Sequence, residues 1–209
     1  MMNHRDHKAF EEFRAVSMLH ELDDLRALPW PARRGDPLRD EPDFVLDAVN
    51  GKPPIGIEIT QPMVPEVFKI NSEIEDRVAR KKLRSLKDND PAGKALRIVA
   101  GDPGAERTLR VHVLCSVDQA AEFYLKAIAA KKLKPAYLEG RHQLQLVLFE
   151  PKPNIQVEKG KFKSALEKVA KSDHGDFTHI WYVNGGPHVT LLRRDGELSN
   201  FLRNEGGSA

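Results

Sequence analysis

The dipeptide Asn50-Gly51, set between two alternating runs, constrains this chain more than any other feature. Phe44, Leu46 and Ala48 alternate with Asp43, Val45 and Asp47 before it, and Ile55, Ile57 and Ile59 alternate with Gly56, Glu58 and Thr60 after it. Asn-Gly readily takes the positive φ angles of a tight hairpin turn, so the two runs read as paired antiparallel strands. Counting outward from the turn sets Val49 against Lys52, Leu46 against Ile55, Phe44 against Ile57 and Asp43 against Glu58. In that register the apolar residues of both strands share one face, which is an internal check on the count. The opposite face then carries Asp43 directly across from Glu58. Directly opposed side chains have Cβ atoms roughly 5 Å apart, where like charges repel. A hard divalent cation is the usual compensator for such a pair. Pro53 and Pro54 are where the count is most exposed to error, since either can lengthen the loop.

Pro42-Asp43, a short gap, then Gly56-Ile57-Glu58-Ile59-Thr60 resembles the motif of the PD-(D/E)XK nuclease superfamily, the restriction-endonuclease-like fold. The match spans about a tenth of the chain. The resemblance implies a metal-dependent nuclease that hydrolyses phosphodiester bonds in nucleic acid, DNA being the first expectation. It implies that Asp43 and Glu58, with the backbone carbonyl of Ile59, hold Mg²⁺ or Mn²⁺. It also implies that the first core helix adds an acidic residue, Glu21 in preference to Glu11. The last motif position is normally Lys, which orients the attacking water and offsets charge at the phosphate; here it is Thr60. A Thr hydroxyl donates a hydrogen bond but brings no charge. The candidate replacement nearest in sequence is Lys69, expected within side-chain reach of the pair. Lys52 lies about 20 Å along the strand from Glu58, and Gln61 should point to the other face. Thr60 also raises an alternative: a catalytically degenerate nuclease-like fold acting as a nucleic-acid or protein binding module. Under the nuclease reading, Asp43→Asn removes ion binding and leaves the fold intact or more stable, because it relieves the like-charge contact.

The order of elements agrees with that class. Residues 8–28 form a helix with Phe10, Met18, Leu22, Leu25 and Leu28 as its apolar arc, into which Glu11 and Glu21 fall. Residues 30–41 form a loop carrying Arg33 and Arg34. Residues 66–87 form an amphipathic helix on Val67, Ile70, Ile74 and Val78. Its basic second half supplies Arg77, Arg80, Lys81 and Arg84 as candidate nucleic-acid contacts. Residues 88–93 read as a loop, 96–100 as a short strand and 108–115 as a clearer one. Ser116-Val-Asp-Gln119 is a capping box opening a helix to about Leu133, with Phe123, Ala127 and Ala130 turned to the core. Lys131, Lys132 and Lys134 sit near its C-terminal end, where cations are favoured. A strand over 143–149, a helix over 161–171 and a second hairpin over 179–192 follow.

The predicted fold is therefore α/β, a mixed central sheet flanked by helices, with a restriction-endonuclease-like core and a C-terminal strand/helix elaboration. At 209 residues one domain is expected, over 1–203, with the core at roughly 8–150, the elaboration at 151–203 and a frayed tail at 204–209. A net charge of +2 leaves any attraction for nucleic acid to local patches. The single cysteine, Cys115, excludes an internal disulfide and a thiolate zinc site, and reads as a buried structural thiol. The histidines show no ligand spacing on one helix. No segment has the length of a membrane span or the core of a signal peptide, so a cytoplasmic protein without a membrane partner is expected. Oligomeric state is not encoded in any pattern found.

Overall fold

Alternating apolar residues at 44–46 and 55–60 build one pair of a seven-stranded sheet. The computed structural model describes residues 4–20, 33–36, 38, 41–47, 53–62, 64–79, 90–98, 109–131, 143–150, 155–184, 188–193 and 195–202. The strands are β1 (Arg33–Arg34), β2 (Phe44–Leu46), β3 (Ile55–Thr60), β4 (Val113–Cys115), β5 (Gln143–Glu150), β6 (Ile155–Val157), β7 (His179–Asn184), β8 (His188–Leu192) and β9 (Leu198–Leu202). The helices among the described residues are α1 (His4–His20), α2 (Pro65–Ala79), α3 (Pro91–Ile98), α4 (Val117–Ala130) and α5 (Phe162–Ala170). The main sheet runs β1-β2-β3-β5-β7-β8-β9, and β4 and β6 form a separate parallel pair. β3, β5 and β7 are parallel at the centre, and the strands outside them are antiparallel. This is an α/β fold with a mixed central sheet flanked by helices. The β2–β3 register pairs Phe44 with Ile57, Val45 with Gly56 and Leu46 with Ile55, as the count from Asn50-Gly51 predicts. The turn itself lies outside the described residues.

Successive parallel strands that step in one direction, joined by right-handed crossovers, place their helices on one face of the sheet. In keeping with that rule α4, between β3 and β5, and α5, between β5 and β7, pack on one face. α4 and α5 bury Ala120, Tyr124, Ile128, Leu166 and Val169 against Leu144, Leu146, Leu148, Ile180 and Tyr182. α1 covers the other face, packing Ala15, Val16, Met18 and Leu19 on Phe44, Leu46, Ile57, Ile59 and Val147. Each large aliphatic side chain so buried contributes about 1.5–3 kcal/mol relative to an exposed one. Covered on both faces, β3 and β5 are buried along nearly their whole length, as central parallel strands are. A polar side chain in either strand is therefore forced to find a partner inside.

Several elements differ from expectation. The inward stripe of α1 is Glu12, Ala15, Val16, Met18 and Leu19; of the expected arc Met18 is buried, Phe10 is about half exposed, and Leu22, Leu25 and Leu28 lie outside the described residues. Phe10 turns to solvent, and the small Ala15 and Val16 take the inward positions beside Met18. Residues 96–98 belong to α3, not to a strand. Asp90 caps that helix, its Oδ1 accepting from Gly93 N at 3.0 Å, and Pro91 stands at the first position, where no amide is needed. The strand at 108–115 shrinks to β4; Leu109 and Val111 pack instead with α2 and α3. There the buried Asn71 amide imitates a strand partner, bonding Val111 O at 2.9 Å and Val111 N at 2.8 Å. α4 begins at the predicted capping box, with both reciprocal bonds formed. Its buried residues are Ala120, Ala121, Tyr124 and Ile128, whereas Ala130 is exposed. Phe123 and Ala127 of the expected arc are half-buried against the same core, so the buried stripe is centred one residue further round the helix. β1, β6 and β9 are too short or too polar to have been anticipated.

Candidate functional site: a carboxylate pair closed by a lysine

Asp43 immediately precedes β2, and Glu58 is the fourth residue of β3. Extending the observed register by one residue sets them opposite each other, on the α4 face. Glu58 is only 4% exposed, so its charge needs a partner within the protein. Lys131, the residue that caps the C-terminus of α4, supplies it. Its Nζ donates to Glu58 Oε2 at 2.6 Å and to Asp43 Oδ2 at 2.9 Å. Asp43 Oδ2 also accepts from Ile59 N at 2.8 Å. The carboxylates thus converge on one cation, with charge-assisted bonds among the stronger kinds available to side chains. Burial works against the Lys131 charge, but the Asp43 and Glu58 carboxylates outweigh it and hold the ammonium above its ordinary range.

The fold fixes each member separately. Pro42 lies over Gly56, where a Cβ would come within 2.6 Å of Pro42 Cγ and 2.8 Å of Leu144 Cδ2. On its other side Gly35 donates its amide to Asp43 O at 3.1 Å, and a Cβ there would collide with Pro42 O. Glu58 is held by the β3–β5 ladder, opposite Leu146. Lys131 is placed by α4, whose start is set by the Ser116–Gln119 box and whose rotation is set by Tyr124. Tyr124 Oη donates to Glu150 Oε2 at 2.6 Å, and Tyr182 Oη donates to the same atom at 3.0 Å. Glu150, at the end of β5, is 1% exposed. Burial and the Glu150 charge raise both phenols far above their ordinary range, so both remain donors.

Thr60, two residues beyond Glu58 on β3, shares its face of the sheet. It ends the strand, half-buried beside Leu148. Lys69 is exposed on α2, where it lines an open depression with Phe68, Ser72, Glu73, Asp76 and Arg77. The lysine that touches the carboxylate pair is Lys131. Arg77 is tied to Asp90 at 3.0 Å, and Glu21, Arg80, Lys81 and Arg84 lie outside the described residues. Glu11 is half-buried, with Arg14 at 3.8 Å; the buried acid of α1 is Glu12, paired with Arg34 at 2.7 Å. His174 is buried with Nε2 3.2 Å from Val169 O, and His179 stacks on Trp181. Cys115 is buried, and burial raises its thiol above the ordinary range, away from nucleophilic chemistry.

Lys131 carried a signal that the wrong helix phase concealed. At 100° per residue it falls within the arc of Ala120, Ala121, Tyr124 and Ile128, so it is a lysine in a buried stripe. Neighbouring Lys132 and Lys134 made it look like one of several terminal cations.

No family model, curated protein or solved structure matches the chain. The site is defined by its own geometry: a buried carboxylate in the second half of β3 and a half-buried one just before the antiparallel β2, closed by one lysine. Among the described residues no group of three or more His, Cys, Asp and Glu side chains is gathered for a metal. Mg²⁺ needs no such cage, since one or two carboxylates plus waters and substrate phosphate suffice. Ile59 turns its amide to the β2 side, and the N–H and C=O of one strand residue point the same way, so its carbonyl belongs to the same corner. That all-oxygen set fits a hard divalent ion. Among the described residues no helix is long and apolar enough to cross a membrane.

Proposed function

We propose that this protein is a metal-dependent nuclease hydrolysing phosphodiester bonds in nucleic acid, with DNA as the first substrate to test. The observation that carries the proposal is the convergence of Asp43 and Glu58, from opposed strands, on a single cation. Asp43, Glu58 and the carbonyl of Ile59 would hold Mg²⁺ or Mn²⁺. Such an ion, when bound, lowers the pKa of a water and polarises the phosphodiester. The protein's own part is positioning and charge. The Ile59 amide holds Asp43 Oδ2 in place. The covered sheet keeps Glu58 away from bulk water, which strengthens every charge interaction at the site. Lys131 brings the positive charge that Thr60 lacks and sets it against the phosphate.

The test is nicking of supercoiled plasmid with and without Mg²⁺ or Mn²⁺, using Asp43→Asn and Glu58→Gln as controls. Metal-dependent nicking lost in both variants supports the proposal; its absence in the parent under all metal conditions refutes it. A second reading, a binding module descended from such a fold, is favoured by one observation: Lys131 already satisfies the pair without an ion. Salt-sensitive DNA binding without cleavage would single it out.

A further inference from the structure

We propose that Lys131 serves two partners in succession: it closes the Asp43–Glu58 pair until a divalent ion displaces it, and the displaced ammonium is then free to meet substrate phosphate. The inference rests on the nuclease reading and concerns the order of events at its site. Lys131 Nζ lies 2.6 Å from Glu58 Oε2 and 2.9 Å from Asp43 Oδ2, on the oxygens an ion would need. An ion bound to those oxygens at about 2.1 Å would bring two positive charges against a third at contact distance. The two cations therefore compete for one place.

The geometry makes the exchange a side-chain movement alone. The backbone of Lys131 is anchored by its own amide, which bonds Ile128 O at 3.0 Å. The four-carbon stem beyond it is flexible. A displaced ammonium is not left stranded, because the last carbonyls of α4 present the negative end of the helix dipole beside it. The last turn of α4 itself contains no other basic residue to compete for them. The consequence is an order: the lysine reaches phosphate only after the ion has arrived.

Competition of this kind multiplies the intrinsic ion affinity by the fraction of molecules with the pair open, and so weakens it. Mn²⁺ titrations of the parent, Lys131→Met and Lys131→Gln by calorimetry test it, with melting curves to confirm folding. The expected result is binding roughly tenfold or more tighter in both variants. A second measurement needs no variant: lysine acylation read by mass spectrometry, with and without Mg²⁺. Lys131 labelling should rise severalfold with the ion while exposed Lys69 serves as reference. Equal or weaker Mn²⁺ affinity in folded variants, or Lys131 labelling indifferent to Mg²⁺, overturns the exchange and leaves the nuclease reading standing. No ion binding in parent or variants overturns both. Tighter binding in the variants, with no nicking by the parent, upholds the exchange and removes the nuclease.

Discussion

Lys131 Nζ and Glu58 Oε2 meet at 2.6 Å across 73 residues of chain, and the carboxylate is among the most deeply buried charges described in the fold. Removing one partner of such a pair leaves the other uncompensated, which costs about 3–5 kcal/mol when both are fully buried. Lys131 is about a quarter exposed, so solvent recovers part of that. Lys131→Met is expected to lose about 1–3 kcal/mol by urea denaturation. Glu58→Gln should lose less, because an amide in that place needs no counter-charge. Equal losses would show that packing rather than charge sets the cost.

The like-charge contact between Asp43 and Glu58 predicts that Asp43→Asn is stabilising, but Lys131 has already relieved that contact. An Asn oxygen can still accept from Ile59 N, so Asp43→Asn is expected within about 1 kcal/mol of the parent. Asp43→Ala strands the buried Ile59 amide and should cost about 1–3 kcal/mol. Both should abolish Mn²⁺ binding. The split between stability and ion affinity, read by melting and calorimetry, checks the two roles of one carboxylate.

Glu150 gives a prediction independent of any ligand. Tyr124→Phe deletes one of the two hydroxyls on Glu150 Oε2 and should cost about 1–3 kcal/mol. Combined with Tyr182→Phe, the losses should not add, since both hydroxyls bond the same oxygen of one buried acid. A double-mutant cycle in urea measures the coupling. Additive losses would mean that the phenols act as separate packing elements.

Acid sensitivity should come in part from His179. Burial first, and then the nearby Arg193 charge, hold its pKa below the ordinary 6.5. The unfolded chain therefore takes up the proton first as pH falls, and the neutral, folded form loses ground. The contribution of His179 is fully present above about pH 6.5 and declines as pH drops below it toward the folded value. His179→Phe, which keeps a ring against Trp181, should flatten the part of the stability curve between pH 7 and 5 that the parent shows. An unchanged slope would assign acid sensitivity to other groups.

Local signals were legible and distant ones were not. The Phe44–Ile57 register follows from alternation and a turn within seventeen residues (42–58), and the Ser116–Gln119 box from four consecutive ones. Both depend on forces that act between chain neighbours. α3 went unread because Asp90-Pro91 serves equally as a turn and as a cap followed by a first helical position, and only packing against α2 decides. In α1 Met18 was legible, but Phe10 outweighs in pattern the small Ala15 and Val16 that face the sheet. At the site, the two acids were legible as a hairpin pair. Their cation was not, because Lys131 is 88 residues from Asp43 and owes its place to a helix whose rotation is set elsewhere.

Gly56 and Gly35 hold Pro42 between them, and neither has room for a single added carbon. The placement of Asp43 beside Glu58 is thus governed by two positions that possess no functional group at all. Any effort to retune this cluster by varying only its acids and its lysine would leave the calliper untouched; widening or narrowing its jaws means redesigning residues 35, 42 and 56 as one unit.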